Sequence, residues 1–286
     1  MTCMWKELLV LLPSRLRPEA EALGQARLQE IRLRLGAPAL FQCRGQAVPS
    51  RAAPVEPEDL AAVVAQASRF SAYAARSIAR GYLTAPGGHR LGLCGRGVER
   101  GGEITGMQDL TSLCIRVAKD ITGIGQALAD AARSSVLILG PPGAGKTTLL
   151  RDAVRCLGRQ TPVAVVDERE ELFPCRGGRL SFLPGGQVDV LSGWPKAQGM
   201  EALLRAMGPG WIAVDEITSA EDCAAMERCS YCGVRFLATA HAVSPEDLKR
   251  RPVYRQLLEC GFFQYYALLD SRQQYTMGRL PICSSY

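Results

Sequence analysis

From Ser134 to the C-terminus the apolar residues fall in short unbroken runs: Val136–Leu139, Val163–Val166, Ile212–Val214 and Phe236–Ala240. Each run is bounded by Gly, Pro or charge, and helical spacing separates one from the next. Unbroken runs suit strands covered on both faces, as in a parallel sheet flanked by helices. They predict a doubly wound α/β domain. Phe263, Tyr265, Ala267 and Leu269 then alternate, and with Gln273–Met277 they predict a β-hairpin. The first part of the chain reads differently. Gln29 to Leu35 places Ile31, Leu33 and Leu35 on one side and Arg32 and Arg34 on the other, a half-buried strand with a cationic outer face. Leu60, Val63, Val64, Ala67 and Phe70 give Glu56–Ala79 helical spacing. Gly87-Gly88-His89-Arg90 signals a turn before the strand-like Leu91–Leu93, and Leu113–Val117 is a further short strand. Gly123 and Gly125 punctuate a linker at 119–126. The pattern predicts a smaller α+β domain over residues 1–125 and an α/β domain over 126–286.

Composition sharpens this picture. A chain of 286 residues accommodates two modest domains. Its 47% hydrophobic and 22% charged residues are globular, which excludes extensive disorder. The run Leu8–Leu12 is far shorter than the ~20 residues of a membrane span and ends at Pro13. It has no basic leader and no small-residue cleavage site, so neither a span nor a signal peptide is expected. The 11 cysteines are odd in number and scattered, as for reduced thiols acting as small hydrophobes. Cys229 and Cys232 have no second pair at zinc spacing, and they fall on a predicted helix 219–231 and its end, a packing position.

Charge raises a different question. Residues 1–125 carry 16 basic and 11 acidic side chains, a net of +5 within the +6 of the whole chain. A basic half invites a nucleic-acid reading. Acidic positions interleave with the basic ones, however, and aromatics make up 6%. A stacking platform needs more of them, and no nucleic-acid partner is expected.

The most specific chemistry lies after the first unbroken run. Gly140-Pro141-Pro142-Gly143-Ala144-Gly145-Lys146-Thr147, followed by Thr148, fits G-x-x-x-x-G-K-[ST], with a strand before it and the predicted helix Thr147–Leu157 after it. Such glycines let backbone N–H groups curl around phosphate oxygens, and the helix N-terminus adds partial positive charge. Lys146 would reach the β- and γ-phosphates, and Thr147 Oγ would bind Mg²⁺. The run ending at Val214 supplies Asp215 as a second Mg²⁺ ligand and Glu216 to polarise a water. Ser219-Ala-Glu-Asp222 can cap the following helix. Two other runs end in Asp167-Glu168 and in His241, one of only 2 histidines. Ligands bind at the carboxyl ends of strands in open α/β sheets, so Lys146, Asp167, Glu168, Asp215, Glu216 and His241 should converge. His241 is read as a γ-phosphate sensor or water-orienting group. The chain contains no Asn; the Asn-Lys-x-Asp guanine motif of small GTPases is therefore absent, which favours ATP. The acidic strand ends and the strand-end histidine favour water activation over the phosphoryl acceptance of a nucleoside kinase.

Walker A at 140–147, an acidic box at 167–171, Walker B at 211–216 and Thr239-Ala-His241 stand in the order seen in type II and type IV secretion ATPases. Beyond these, the chain resembles the stage III sporulation protein AA family of endospore-forming bacteria. The residues are Gln29–Arg34, Pro86–Leu93, Ser112–Arg116, Pro141–Asp152, Val165–Arg169, Lys196–Met200, Ile212–Ile217 and Ala238–His241. This covers nearly the whole chain. The resemblance implies a RecA-like P-loop domain and a cytoplasmic, membrane-peripheral ATPase on the mother-cell side of a developing spore. It implies hexameric rings that energise or gate a multiprotein channel between mother cell and forespore. It also implies an arginine at a γ-phosphate, supplied within or between subunits; the candidates are Arg32, Arg34, Arg116, Arg169 and Arg205. Two departures stand out. Met207-Gly-Pro-Gly210 replaces the usual Arg-x-Asp-Pro-Asp of the secretion relatives, and Asp215 stands where many of them carry Gly. The second strengthens the metal assignment and leaves the division of labour between Glu168 and Glu216 open. Two other readings compete: a RecA-like ATPase stimulated by nucleic acid, and a non-hydrolysing ring that ATP only holds together.

Overall fold

Ile31 and Leu33 are buried and Arg32 and Arg34 exposed on the strand Leu28–Arg34, as the two-residue period requires. The computed structural model describes residues 3–43, 45–68, 74–176, 178–270 and 274–280. It divides into two compact units, Met1–Lys119 with Pro174–Phe182, and Asp120–Phe173 with Leu183–Tyr286. The boundary falls at Lys119–Asp120 where 125–126 was expected, and Pro174–Phe182 joins the first unit although it lies far along the chain. The reason is packing: Phe182 is buried, and a Cβ on Gly88 would stand 3.0 Å from both Phe182 and Pro174.

The first unit contains α1 (Cys3–Leu11), α2 (Arg17–Leu23), β1 (Leu28–Arg34), β2 (Leu40–Cys43), β3 (Gln46–Pro49), α3 (Pro57–Ser68), α4 (Ala74–Ala79), β4 (Tyr82–Thr84), β5 (Arg90–Arg100) and β6 (Glu103–Arg116). The strands pair antiparallel in the order β3-β2-β1-β6-β5-β4. Trp5, Leu8 and Leu12, with Leu60 and Val63 of α3, pack with Ile31, Leu33, Phe41, Leu91 and Ile115 in one core. Of the expected helix Glu56–Ala79, Phe70 and the rest of 69–73 lie outside the described residues. β5 and β6 run past the short strands expected, because pairing continues from Arg96–Gln108 to Arg100–Glu103 as a two-stranded ribbon of mostly exposed residues. Its Gly-rich, polar sequence has no apolar period to announce it.

The second unit begins with α5 (Gln126–Ala131), β7 (Ser135–Gly140), α6 (Lys146–Leu157) and β8 (Val163–Asp167). The hairpin β9 (Cys175–Arg176) and β10 (Arg179–Leu180) follows in the chain and belongs to the first unit. Then come β11 (Val188–Ser192), α7 (Lys196–Met207), β12 (Trp211–Val214), α8 (Ala220–Tyr231), β13 (Arg235–His241), α9 (Pro245–Arg250), α10 (Pro252–Glu259), β14 (Phe263–Leu269) and β15 (Tyr275–Arg279). The sheet order is β11-β8-β12-β13-β7-β14-β15, parallel throughout except for β15 on its edge. Every residue of β7, β8 and β12 is buried, which is why their apolar runs are unbroken. β14 and β15 form the expected antiparallel pair, with Gln273 outside the described residues. Ser219 and Asp222 form a reciprocal capping box at the start of α8. Cys229 is in the core and burial pushes its thiol up to about 11. Cys232, just past the helix, is exposed and does not pack as expected. Among the described residues no helix is long and apolar enough to cross a membrane.

Candidate nucleotide site

The site is assembled by register. β13 lies between β12 and β7, with His241 opposite Gly140 and Ala238 opposite Val214. The last residues of the three strands, and the loops that leave them, therefore meet at one end of the sheet.

Gly140 ends β7, and Pro141–Gly145 lead into α6. Gly145 sits at φ +97°, a left-handed conformation that a side chain would strain. Among the described residues the first turn of α6, Lys146 through Thr148, takes no side-chain cap, the arrangement of helix termini that accept phosphate. Lys146 is folded inward at 6% exposure. Its Nζ donates to Gly140 O at 2.8 Å and Pro141 O at 2.9 Å, and lies 2.9 Å from His241 Nδ1. Burial lowers its pKa, against the opposing pull of Asp215 and Glu216.

Asp215 follows β12 and receives two hydroxyls. Thr147 Oγ1 donates to Oδ2 at 2.8 Å and Thr239 Oγ1 to Oδ1 at 2.7 Å. Thr239 also accepts from the backbone N–H of Glu216 at 2.8 Å, and its carbonyl from that of Ile217 at 3.0 Å. This grip holds Glu216 at φ +52°, a conformation that costs about 1–3 kcal/mol outside glycine and persists only when its surroundings over-determine it. The Glu216 carboxylate is fixed at both ends, with Oε1 3.1 Å from His241 Nε2 and Oε2 2.9 Å from Arg169 Nη1.

Lys146, Thr147, Asp215, Glu216 and His241 thus come together as expected from their strand ends. Asp167 does not join them. It is 2% exposed and turns back to accept N–H bonds from Glu171, Leu172 and Phe173, closing its own loop. Burial raises its pKa to about 6 against those three donors. Arg151 of α6 holds the same loop, donating to Leu172 O at 2.6 Å and Glu171 O at 2.8 Å. Glu168 pairs with Lys196 at 2.5 Å and has no bond to this network among the described residues. Of the five candidate arginines, Arg169 reaches the network. Arg32 and Arg116 pair with Glu30, and Arg205 lies 3.8 Å from Glu201. Arg34 is exposed on β1. Thr239 and Lys196 were missing from the expected site residues. Both lie in segments whose pattern matched a family, but no motif spacing pointed to a role for either.

A family model described as "Sporulation stage III, protein AA" matches residues 5–279. The chain is 36% identical over 254 residues to the stage III sporulation protein AA of Bacillus subtilis (strain 168), covering 85% of this chain and 82% of that protein. Among solved structures, the pilus retraction motor PilT with bound ADP is similar at a TM-score of 0.62 and 16% identity, covering 98% of this chain and 82% of that one. The ATPase DotB of Legionella pneumophila is similar at 0.56 and 14%, covering 98% and 80%. At these identities the likeness is one of fold: a RecA-like P-loop domain with a smaller N-terminal domain. With the family model spanning nearly the whole chain and a relative at 36% identity, the chain belongs to the stage III sporulation protein AA family.

Proposed function

We propose that the chain is an Mg²⁺-dependent ATPase that works as a homo-oligomeric, hexameric ring on the cytoplasmic, mother-cell side of a sporulation membrane. Hydrolysis there energises or gates the membrane components of a mother-cell-to-forespore channel. The observation that carries the reading is the 2.8 Å bond from Thr147 Oγ1 to Asp215 Oδ2, at one end of a network that also holds Lys146, His241 and Glu216. A hydroxyl on a P-loop helix beside one strand-end carboxylate is a hard-oxygen donor pair, and it fits Mg²⁺, which keeps most of its shell for water and phosphate. Mg²⁺ supplies charge neutralisation at the phosphates when bound.

The chain's own groups divide the remaining work. The backbone from Gly140 to Thr148 cradles phosphate oxygens, and Lys146 exchanges its carbonyl partners for them. Glu216 and His241 orient the attacking water, with Glu168, just past the end of neighbouring β8, as a second carboxylate. Arg169, already 2.9 Å from Glu216, serves as the in-site arginine. Arg32, Arg34, Arg116 and Arg205 are the exposed candidates for a neighbouring subunit. ATP is favoured because the chain has no Asn for a guanine motif.

The test is mass by light scattering with and without a non-hydrolysable ATP analogue, run beside ATPase activity. The expected result is nucleotide-coupled assembly and Mg²⁺-dependent turnover that Lys146→Ala abolishes. Glu216→Gln should bind ATP and lose about 10²-fold or more in turnover, because the attacking water is no longer oriented. An assembled wild type that hydrolyses nothing would leave a structural ring. Turnover stimulated by single-stranded DNA, with steeply salt-dependent binding, would indicate a nucleic-acid motor instead.

A further inference from the structure

The segment Lys196-Ala-Gln-Gly-Met200 has no part in the roles assigned above. Lys196 opens α7, yet it is 6% exposed, an ammonium almost wholly out of water. Its Nζ lies 2.5 Å from Glu168 Oε2 and 3.8 Å from Asp222 Oδ2. That Asp222 oxygen is already committed to the cap of α8, accepting from Thr218 N at 3.1 Å and Ser219 N at 3.2 Å. Both carboxylates offset the lysine's charge, but only Glu168 is within hydrogen-bond reach of it. A buried charge is tolerated only when paired, so the pair holds both side chains in place.

Backbone packing accounts for the pairing. Gly199 is three residues after Lys196, on the same helix face. A Cβ at Gly199 would stand 2.6 Å from Val166 Cγ1, so the absence of a side chain lets α7 lie directly on β8. Val166 is two residues before Glu168, and a helix touching the strand there brings Lys196 to its carboxyl end. Val166 and Val214 are partners on neighbouring parallel strands, and Glu168 and Glu216 each follow their valine by two residues. Their surroundings differ. Both oxygens of Glu216 are engaged, one by His241 and one by Arg169. Glu168 engages Oε2 with Lys196, and among the described residues its Oε1 takes no hydrogen bond.

We infer that Lys196 is a positioning residue for hydrolysis that acts through Glu168. It anchors one carboxylate oxygen and leaves the other free to accept the proton of the attacking water. In that step the water oxygen bonds to the γ-phosphorus while the bond from that phosphorus to the β–γ bridging oxygen breaks. ADP leaves with the bridging oxygen, inorganic phosphate is formed, and the proton passes to Glu168 Oε1 and then to solvent. The inference rests on reading the chain as an ATPase.

The test measures kcat, KM for ATP, affinity for a fluorescent ATP analogue and Tm. The proteins are wild type, Lys196→Met and Lys196→Arg, each with and without Glu168→Gln, using single-turnover assays where rates are low. Lys196→Met should lower kcat about 10²-fold, the effect of a misplaced reacting group. KM and analogue affinity should stay within about twofold, since ground-state binding is not involved. Lys196→Arg should recover part of the loss. In the Glu168→Gln background Lys196→Met should cost nothing further, because its target is gone. An unchanged kcat, an equal loss in both backgrounds, or a rise in KM alone would overturn the inference. If Lys196→Met does not fold, Lys196→Arg is read by the same non-additivity. Wild-type turnover no greater than that of Lys146→Ala would instead overturn the ATPase reading, and this inference with it.

Discussion

Lys146 Nζ and His241 Nδ1 stand 2.9 Å apart. The lysine ammonium can only donate, so Nδ1 must present a lone pair. The ring proton then sits on Nε2, which faces Glu216 Oε1 at 3.1 Å. A neutral imidazole thus joins Lys146 to the Glu216 carboxylate, one nitrogen to each. The nucleotide-free protein should show the Nε2–H tautomer of His241 in its imidazole ¹⁵N chemical shifts, with His89 assigned separately by mutation. A resonance pattern with the proton on Nδ1 would contradict the contact.

Asp215 accepts from Thr147 and Thr239 through separate oxygens. Asn at this position keeps the shape and loses the charge a divalent cation needs. Asp215→Asn should therefore weaken nucleotide binding in Mg²⁺ by about 10–100-fold, the scale of lost metal-site partners. Binding in EDTA should change little. Titrating a fluorescent nucleotide under both conditions checks this, and a wild-type ratio between the two affinities would remove Asp215 from the metal site.

His89 answers to pH through burial. It is 0% exposed, with Nε2 2.8 Å from Met4 O and Nδ1 accepting from Ala118 N at 3.1 Å. A neutral ring satisfies both contacts, whereas a second proton would break the Ala118 bond and bury a charge. Burial pushes the pKa from 6.5 down to about 4. Between those values the unfolded chain binds a proton that the folded chain refuses. The stability present in full above pH 6.5 is thus lost as pH falls toward 4, to a total of about 3 kcal/mol. Asp167, raised by burial to about 6, acts in the opposite sense over an overlapping range. Comparing wild type with His89→Gln cancels that contribution, since both proteins carry Asp167. Urea unfolding from pH 7 to 4 should show the wild type losing about 3 kcal/mol relative to the variant; a flat difference would mean that His89 titrates normally in the fold.

What could be read from the sequence was whatever rests on local period or strand ends. The unbroken runs became β7, β8, β12 and β13, and their register alone brings His241 beside Gly140. Features set by distant partners were hidden. β11 is an edge strand with only partial burial, so Val188–Ser192 shows no continuous run. Arg155 and Asp152 lie on the predicted helix Thr147–Leu157, whose spacing assigns neither of them a partner. In the fold they are buried: Arg155 lies 2.7 Å from Asp120, and Asp152 accepts from Gly125 N at 2.7 Å. Those partners stand some thirty residues earlier in the chain, beyond any spacing rule. Asp167 shows the converse. A carboxylate at a strand end looks catalytic in sequence, but here three backbone N–H groups of its own loop claim it.

Gly199 gives a prediction about packing that helix propensity alone would get wrong. In the interior of α7 a Gly→Ala change should stabilise by about 1 kcal/mol, because alanine loses less backbone entropy. Here the new Cβ would sit 2.6 Å from Val166 Cγ1 and 3.2 Å from its Cγ2. Valine has a stiff χ1 and β8 is buried along its whole length, so neither side yields easily. Overpacking of this kind costs about 1–3 kcal/mol, which outweighs the propensity gain. Gly199→Ala should therefore lower the unfolding free energy. Val166→Ala alone should also destabilise, by leaving a cavity. The two changes together should be less harmful than their sum, because the added methyl fills the space the valine gave up. Denaturant unfolding of the four proteins decides the point. Strict additivity would mean that α7 and β8 do not meet at this pair.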